Sequence, residues 1–154
     1  MRSSTTRSNW RLPRGWANRR GRGAYADLGT AYKSLGDLDK AIEYHTQRLA
    51  IATEVGDRAG EGRAYANLGN TYQSLGDFSL AIEYHTQDLA IAKEVGDRAR
   101  VGGAYCNLGM CHMHVGEYVK VVAFYERSHA MSTKIGIGHM QTKAALLSYV
   151  WASR

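Results

Sequence analysis

Two cysteines, one proline and no long apolar run mark this chain of 154 residues by what it lacks. Cys106 and Cys111 are too few for a disulfide-dense secreted scaffold, which leaves a reducing, cytoplasmic setting as the expectation. No stretch approaches the roughly 20 apolar residues that cross a bilayer, and none near Met1 has the apolar core of a secretory signal. The lone proline, Pro13, stands near the start, so the rest of the chain has no obligatory helix breaker.

Acidic residues are missing from one region only. Residues 1–22 hold seven arginines (2, 7, 11, 14, 19, 20 and 22) and no acid, whereas the remaining 132 hold 13 Lys+Arg against 14 Asp+Glu. The formal charge of +6 is therefore a property of the first residues. A near-neutral body lacks the basic face that neutralises several phosphates, which argues against a nucleic-acid-binding body. Residues 1–21 have no apolar period and read as a disordered basic tail. Their acid-free composition would suit a mitochondrial presequence, or a basic arm for RNA or a membrane surface, although Pro13 and Gly15 interrupt an amphipathic helix.

What is present in abundance is repetition. Ala24-Tyr25-Ala26-Asp27-Leu28-Gly29 returns as Ala64-Tyr65-Ala66-Asn67-Leu68-Gly69 and as Ala104-Tyr105-Cys106-Asn107-Leu108-Gly109, a period of 40 residues. Residues 22–61 and 62–101 agree at 27 of 40 positions, whereas 102–141 agrees with the second unit at 9 and is degenerate. Within a unit, Tyr65, Leu68, Gly69, Tyr72 and Leu75 are spaced for one face of a helix, and Phe78, Ala81, Ile82, His85 and Leu89 start a second stripe. Gly76-Asp77 separates the two, glycine suiting a helix end and aspartate the next N-cap, and Gly36-Asp37 and Gly116-Glu117 repeat the device. Gly56-Asp57 and Gly96-Asp97 close the second helix in the same way. The spacing predicts helices over about 58–74 and 78–95, and a capping helix or truncated fourth repeat over 142–154. Unit 1 has no recognisable cap before it, which fits a piece of a longer array.

The pattern Tyr65-x2-Leu68-Gly69-x2-Tyr72, followed by Gly76, Ala81 and a ring at 85, resembles the tetratricopeptide repeat. Leu68-Gly69-Asn70 and the Glu94-to-Arg98 ending are similar to the 40-residue repeats of the Leu-Gly-Asn repeat-enriched G-protein signalling modulators. The resemblance implies an all-α fold, a right-handed superhelical solenoid of antiparallel helix pairs. It also implies a non-enzymatic scaffold, linked to G-protein signalling, whose concave groove grips a peptide segment of a protein partner. The family's groove positions fall on Asp27, Thr30 and Lys33, on Arg63, Asn67, Asn70 and Gln73, and on Asn107, Met110, Met113 and His114. An amide side chain both donates and accepts, so asparagine can hold an extended backbone without selecting a sequence.

No catalytic constellation competes with this reading. His45 and His85 recur where the repeat wants a ring, a place Tyr125 takes in unit 3, so packing explains them better than acid–base chemistry. Cys106, Met110 and His114 are spaced along one helix face and are soft enough for Cu(I), but a groove lined with adaptable side chains accounts for them better, and no metal or cofactor is expected.

Overall fold

The computed structural model describes residues 19–135, which form six helices joined by short turns. They are α1 (Arg19–Ser34), α2 (Leu38–Glu54), α3 (Arg58–Leu75), α4 (Phe78–Glu94), α5 (Arg98–His114) and α6 (Tyr118–Ile135). Each helix packs on its neighbours in sequence, so the array is a solenoid of hairpins α1/α2, α3/α4 and α5/α6. The odd-numbered helices, hereafter A helices, also meet one another, α1 with α3 and α3 with α5. The even-numbered ones are the B helices.

The Gly-Asp pairs act at the junctions as their chemistry requires. Gly76 has φ +86°, and the next helix begins with the Asp77 carboxylate accepting from the Leu80 N–H at 3.1 Å. Asp37, Asp57 and Asp97 cap α2, α3 and α5 in the same manner. Glu117 departs from the pattern. Its carboxylate is taken up by the His112 ring nitrogen Nδ1 at 2.5 Å and by Lys120 Nζ at 2.9 Å. The longer side chain reaches back across the turn where aspartate would stay with its own backbone. α1 also begins earlier than expected, at Arg19, so residues 19–21 of the segment read as tail are helical. Residues 1–18 and 136–154, with the predicted capping helix, lie outside the described residues.

Close approach of A and B helices depends on one contact made three times. Gly29 faces His45, Gly69 faces His85 and Gly109 faces Tyr125. Both histidines are fully buried, at 1% and 0% exposure. Beside them runs a ladder of stacked rings. Tyr32 lies on Tyr44 at 5.3 Å between centroids, Tyr72 on Tyr84 at 5.2 Å, and His112 on Phe124 at 5.2 Å. Unit 3 changes both residues and keeps the stack, which explains how it departs so far in sequence without leaving the fold. Between the second and third hairpins, Leu89 and Ala92 of α4 join Val101, Ala104, Tyr105 and Leu108 of α5 in one apolar cluster, with Ile82 against it.

One junction does not follow the repeat. Arg100 of α5 donates to the buried Asp88 of α4 and, at 3.4 Å, to the Ala59 carbonyl of α3. The guanidinium lies over Gly62, where a Cβ would collide with it. In unit 1 the corresponding residues are Arg48 and Gly60, so this ion pair exists at only one of the two junctions.

Candidate functional site

The A helices place three rows of side chains on one side of the array. Lys33 of α1, Asn70, Gln73 and Ser74 of α3, and Asn107, Met110 and His114 of α5 line a single open cavity of about 310 Å³, with Phe78 from the start of α4. The 40-residue register is the cause. Lys33 and Gln73 are equivalent positions, as are Asn70 and Met110, so neighbouring A helices aim like positions at the same space.

The lining combines apolar surface with amide groups. The His114 ring stacks on Phe78 with centroids 4.3 Å apart and an 8° interplanar angle, forming a flat aromatic wall beside Met110. Gln73 Oε1 accepts from the Cys111 thiol at 3.7 Å, and Ser74 Oγ donates back to the Asn70 carbonyl at 3.0 Å. The amides of Asn70 and Asn107, both half-buried, make no side-chain hydrogen bond among the described residues. Lys33 is the one lysine or arginine in the lining, and no acid accompanies it. The cavity is therefore weakly cationic and offers both donors and acceptors.

Six of the expected groove positions meet in this cavity: Lys33, Asn70, Gln73, Asn107, Met110 and His114. The other five lie outside its lining. Asp27, Thr30 and Arg63 are exposed, the Thr30 hydroxyl donating to the Ala26 carbonyl at 2.9 Å, while Asn67 and Met113 are half-buried. Burial lowers the Arg48 pKa and the charge of nearby Arg63 adds to that, while Asp57 and Asp27 oppose the effect. Phe78 and Ser74 escaped the sequence reading. Phe78 belongs to the helix-B stripe, and only the stacking of α4 against α5 turns its ring toward the groove.

Burial raises the pKa of the Cys106 thiol and pushes Cys111 up to about 11, so both are protonated near neutral pH. Among the described residues, no group of three or more His, Cys, Asp or Glu is placed to hold a metal ion. No described helix is long and apolar enough to cross a membrane.

Residues 22–94 match the family model described as tetratricopeptide repeat. The fold is the tetratricopeptide-repeat solenoid. Solved structures agree with it along most of the chain. The tetratricopeptide-repeat domain of Arabidopsis FLU is 25% identical, with a TM-score of 0.69 over 73% of this chain and 95% of that one. BtubC (BKLC) from P. vanneervenii is 22% identical, with a TM-score of 0.74 over 81% of this chain and 52% of its own. Aspartyl phosphate phosphatase F from Bacillus subtilis is 20% identical, with a TM-score of 0.75 over 80% of this chain and 32% of its own. This chain thus spans about half of the second and a third of the third, and those two likenesses concern the fold alone.

Proposed function

We propose that this chain is a non-enzymatic protein–protein interaction scaffold that takes an extended peptide segment of a partner into the groove across α1, α3 and α5. The observation that carries the reading is the pair of Asn70 and Asn107 amides, on adjacent A helices in one cavity and without side-chain hydrogen bonds among the described residues. Two such amides can hold a peptide backbone at two points while Lys33 pairs with a carboxylate of the ligand. The wall of Phe78 and His114 with Met110 suits an apolar side chain beside that carboxylate. By the resemblance of Leu68-Gly69-Asn70 to the signalling modulators, we place the scaffold in G-protein-linked signalling in the cytoplasm.

The test is retention of partners from a lysate by the full chain, by residues 22–154, and by the Asn70→Ala, Asn107→Ala double variant, followed by calorimetry with the peptide identified. A groove ligand should bind the double variant about 1–3 kcal/mol more weakly, the cost of losing backbone hydrogen bonds in a partly buried site. Equal affinity for both proteins would move the site elsewhere. Partners held only by the full chain, and lost steeply as salt is raised, would instead favour an adaptor acting through the arginine-rich first residues.

A further inference from the structure

The same helix face meets different fates inside the array and at its start. In α3, Ala64, Leu68 and Thr71 are at most 1% exposed, and in α5, Ala104, Leu108 and Cys111 are at most 2% exposed. The B helix that precedes each packs against it, α2 on α3 and α4 on α5, where Leu89 and Ala92 of α4 join Ala104 and Leu108 of α5. The equivalent face of α1 is Ala24, Leu28 and Ala31, continued by Leu35. All four are exposed, Leu28 at 41% and Leu35 at 79%, and among the described residues no B helix precedes α1.

The opposite end carries the reciprocal half. Phe78 and Ile82 of α4 close onto α5, the first by stacking on His114 and the second against the Val101, Ala104 and Leu108 cluster. Their equivalents in α6 are Tyr118 and Val122, which are 61% and 49% exposed, with Val119 beside them at 87%. The two ends of the described array are thus the two sides of an interface that the chain builds twice within itself.

We propose that successive copies dock head to tail, the α6 face of one on the α1 face of the next, continuing the repeat interface from molecule to molecule. Val122 takes the place of Ile82, and Leu28 and Ala31 take the places of Leu108 and Cys111. The contact is apolar toward the A–B turns and polar at its other end, because His129 and Ser132 stand where α4 has Leu89 and Ala92. That difference makes the intermolecular contact weaker than the internal one and dependent on concentration. The contact is heterologous, and the solenoid's own stacking operation does not close on itself, so growth is open-ended.

Sedimentation velocity of the full chain under reducing conditions tests this across a wide concentration range. The average mass should climb with concentration without stopping at two chains. Leu28→Asp and Val122→Asp, both at exposed positions, should each be monomeric with unchanged helical circular dichroism. An equimolar mixture of the two variants should form a two-chain species, since each retains one intact face. A wild-type chain that stays monomeric throughout would overturn the proposal. So would self-association that survives Val122→Asp, because a symmetric α1-to-α1 contact or a covered α6 face gives that result.

Discussion

Gly69 stands directly against the His85 ring, so close that a Cβ on this glycine would come within 2.7 Å of the histidine Cε1. The absent side chain lets α3 and α4 approach. Gly69→Ala should therefore lower stability by about 1–3 kcal/mol, the usual cost of overpacking a core, seen as a fall in melting temperature. Gly103 is the control, being an exposed helical glycine with nothing within 4 Å of its Cβ position. Gly103→Ala should stabilise by about 0.5–1 kcal/mol through helix propensity. A Gly69→Ala variant stabilised to the same extent as Gly103→Ala would refute the hairpin packing.

The two buried histidines make the array acid-sensitive. Burial, with the Arg48 and Lys33 charges, pulls His45 down to about 4, and burial with Lys33 does the same to His85. His85 has no hydrogen-bond partner at either ring nitrogen among the described residues. The unfolded chain takes up these protons first as pH falls through the ordinary value of 6.5, so both groups contribute full stability above it. That contribution drains away between 6.5 and about 4, on the order of 3 kcal/mol for each histidine. Urea unfolding at a series of pH values measures the slope. His85→Tyr, the ring that unit 3 uses at Tyr125, should remove about half of it, and an unaltered slope would assign the acid sensitivity to other groups.

Loss of a cap should act locally. Asp77→Ala removes the acceptor for the Leu80 N–H at the start of α4 and should cost about 1 kcal/mol. Asp77→Asn retains an oxygen at the same place and should recover most of that loss. Thermal unfolding of the three proteins gives the comparison, and an asparagine variant as unstable as the alanine one would mean that charge, rather than the hydrogen bond, is what matters.

The fold was legible because its determinants recur. Gly-Asp at four of the five junctions, glycine at 29, 69 and 109, and a ring at 45, 85 and 125 state the same contacts again and again. The register also places Lys33, Asn70, Gln73, Asn107, Met110 and His114 on the helix faces that line one cavity. Contacts made once were invisible. Phe78 enters the groove only because α4 leans on α5, and Glu117 reads as a cap although His112 and Lys120 hold its carboxylate. The start of α1 was obscured by composition, since Arg19 and Arg20 continue a basic run that carries no apolar period.

The contact between Asp88 and Arg100 was hidden most completely, because it arises from two changes on different helices that each look like surface variation. Asp88 is 3% exposed, burial raises its pKa, and the charge and hydrogen bond of the Arg100 guanidinium oppose that shift. Asp88→Ala should thus strand a largely buried guanidinium and destabilise by about 3 kcal/mol, near the lower end for a broken buried pair. Removing both charges is a different perturbation. Unit 3 has Ser128 and Met140 at these positions, and Ser128 donates to the Gly102 carbonyl at 2.9 Å, a bond between its own two helices. The double variant Asp88→Ser, Arg100→Met removes the unpaired charge and should recover most of the stability that Asp88→Ala loses. A double variant no more stable than Asp88→Ala would mean that the pair is held for its own attraction and not merely for mutual neutralisation.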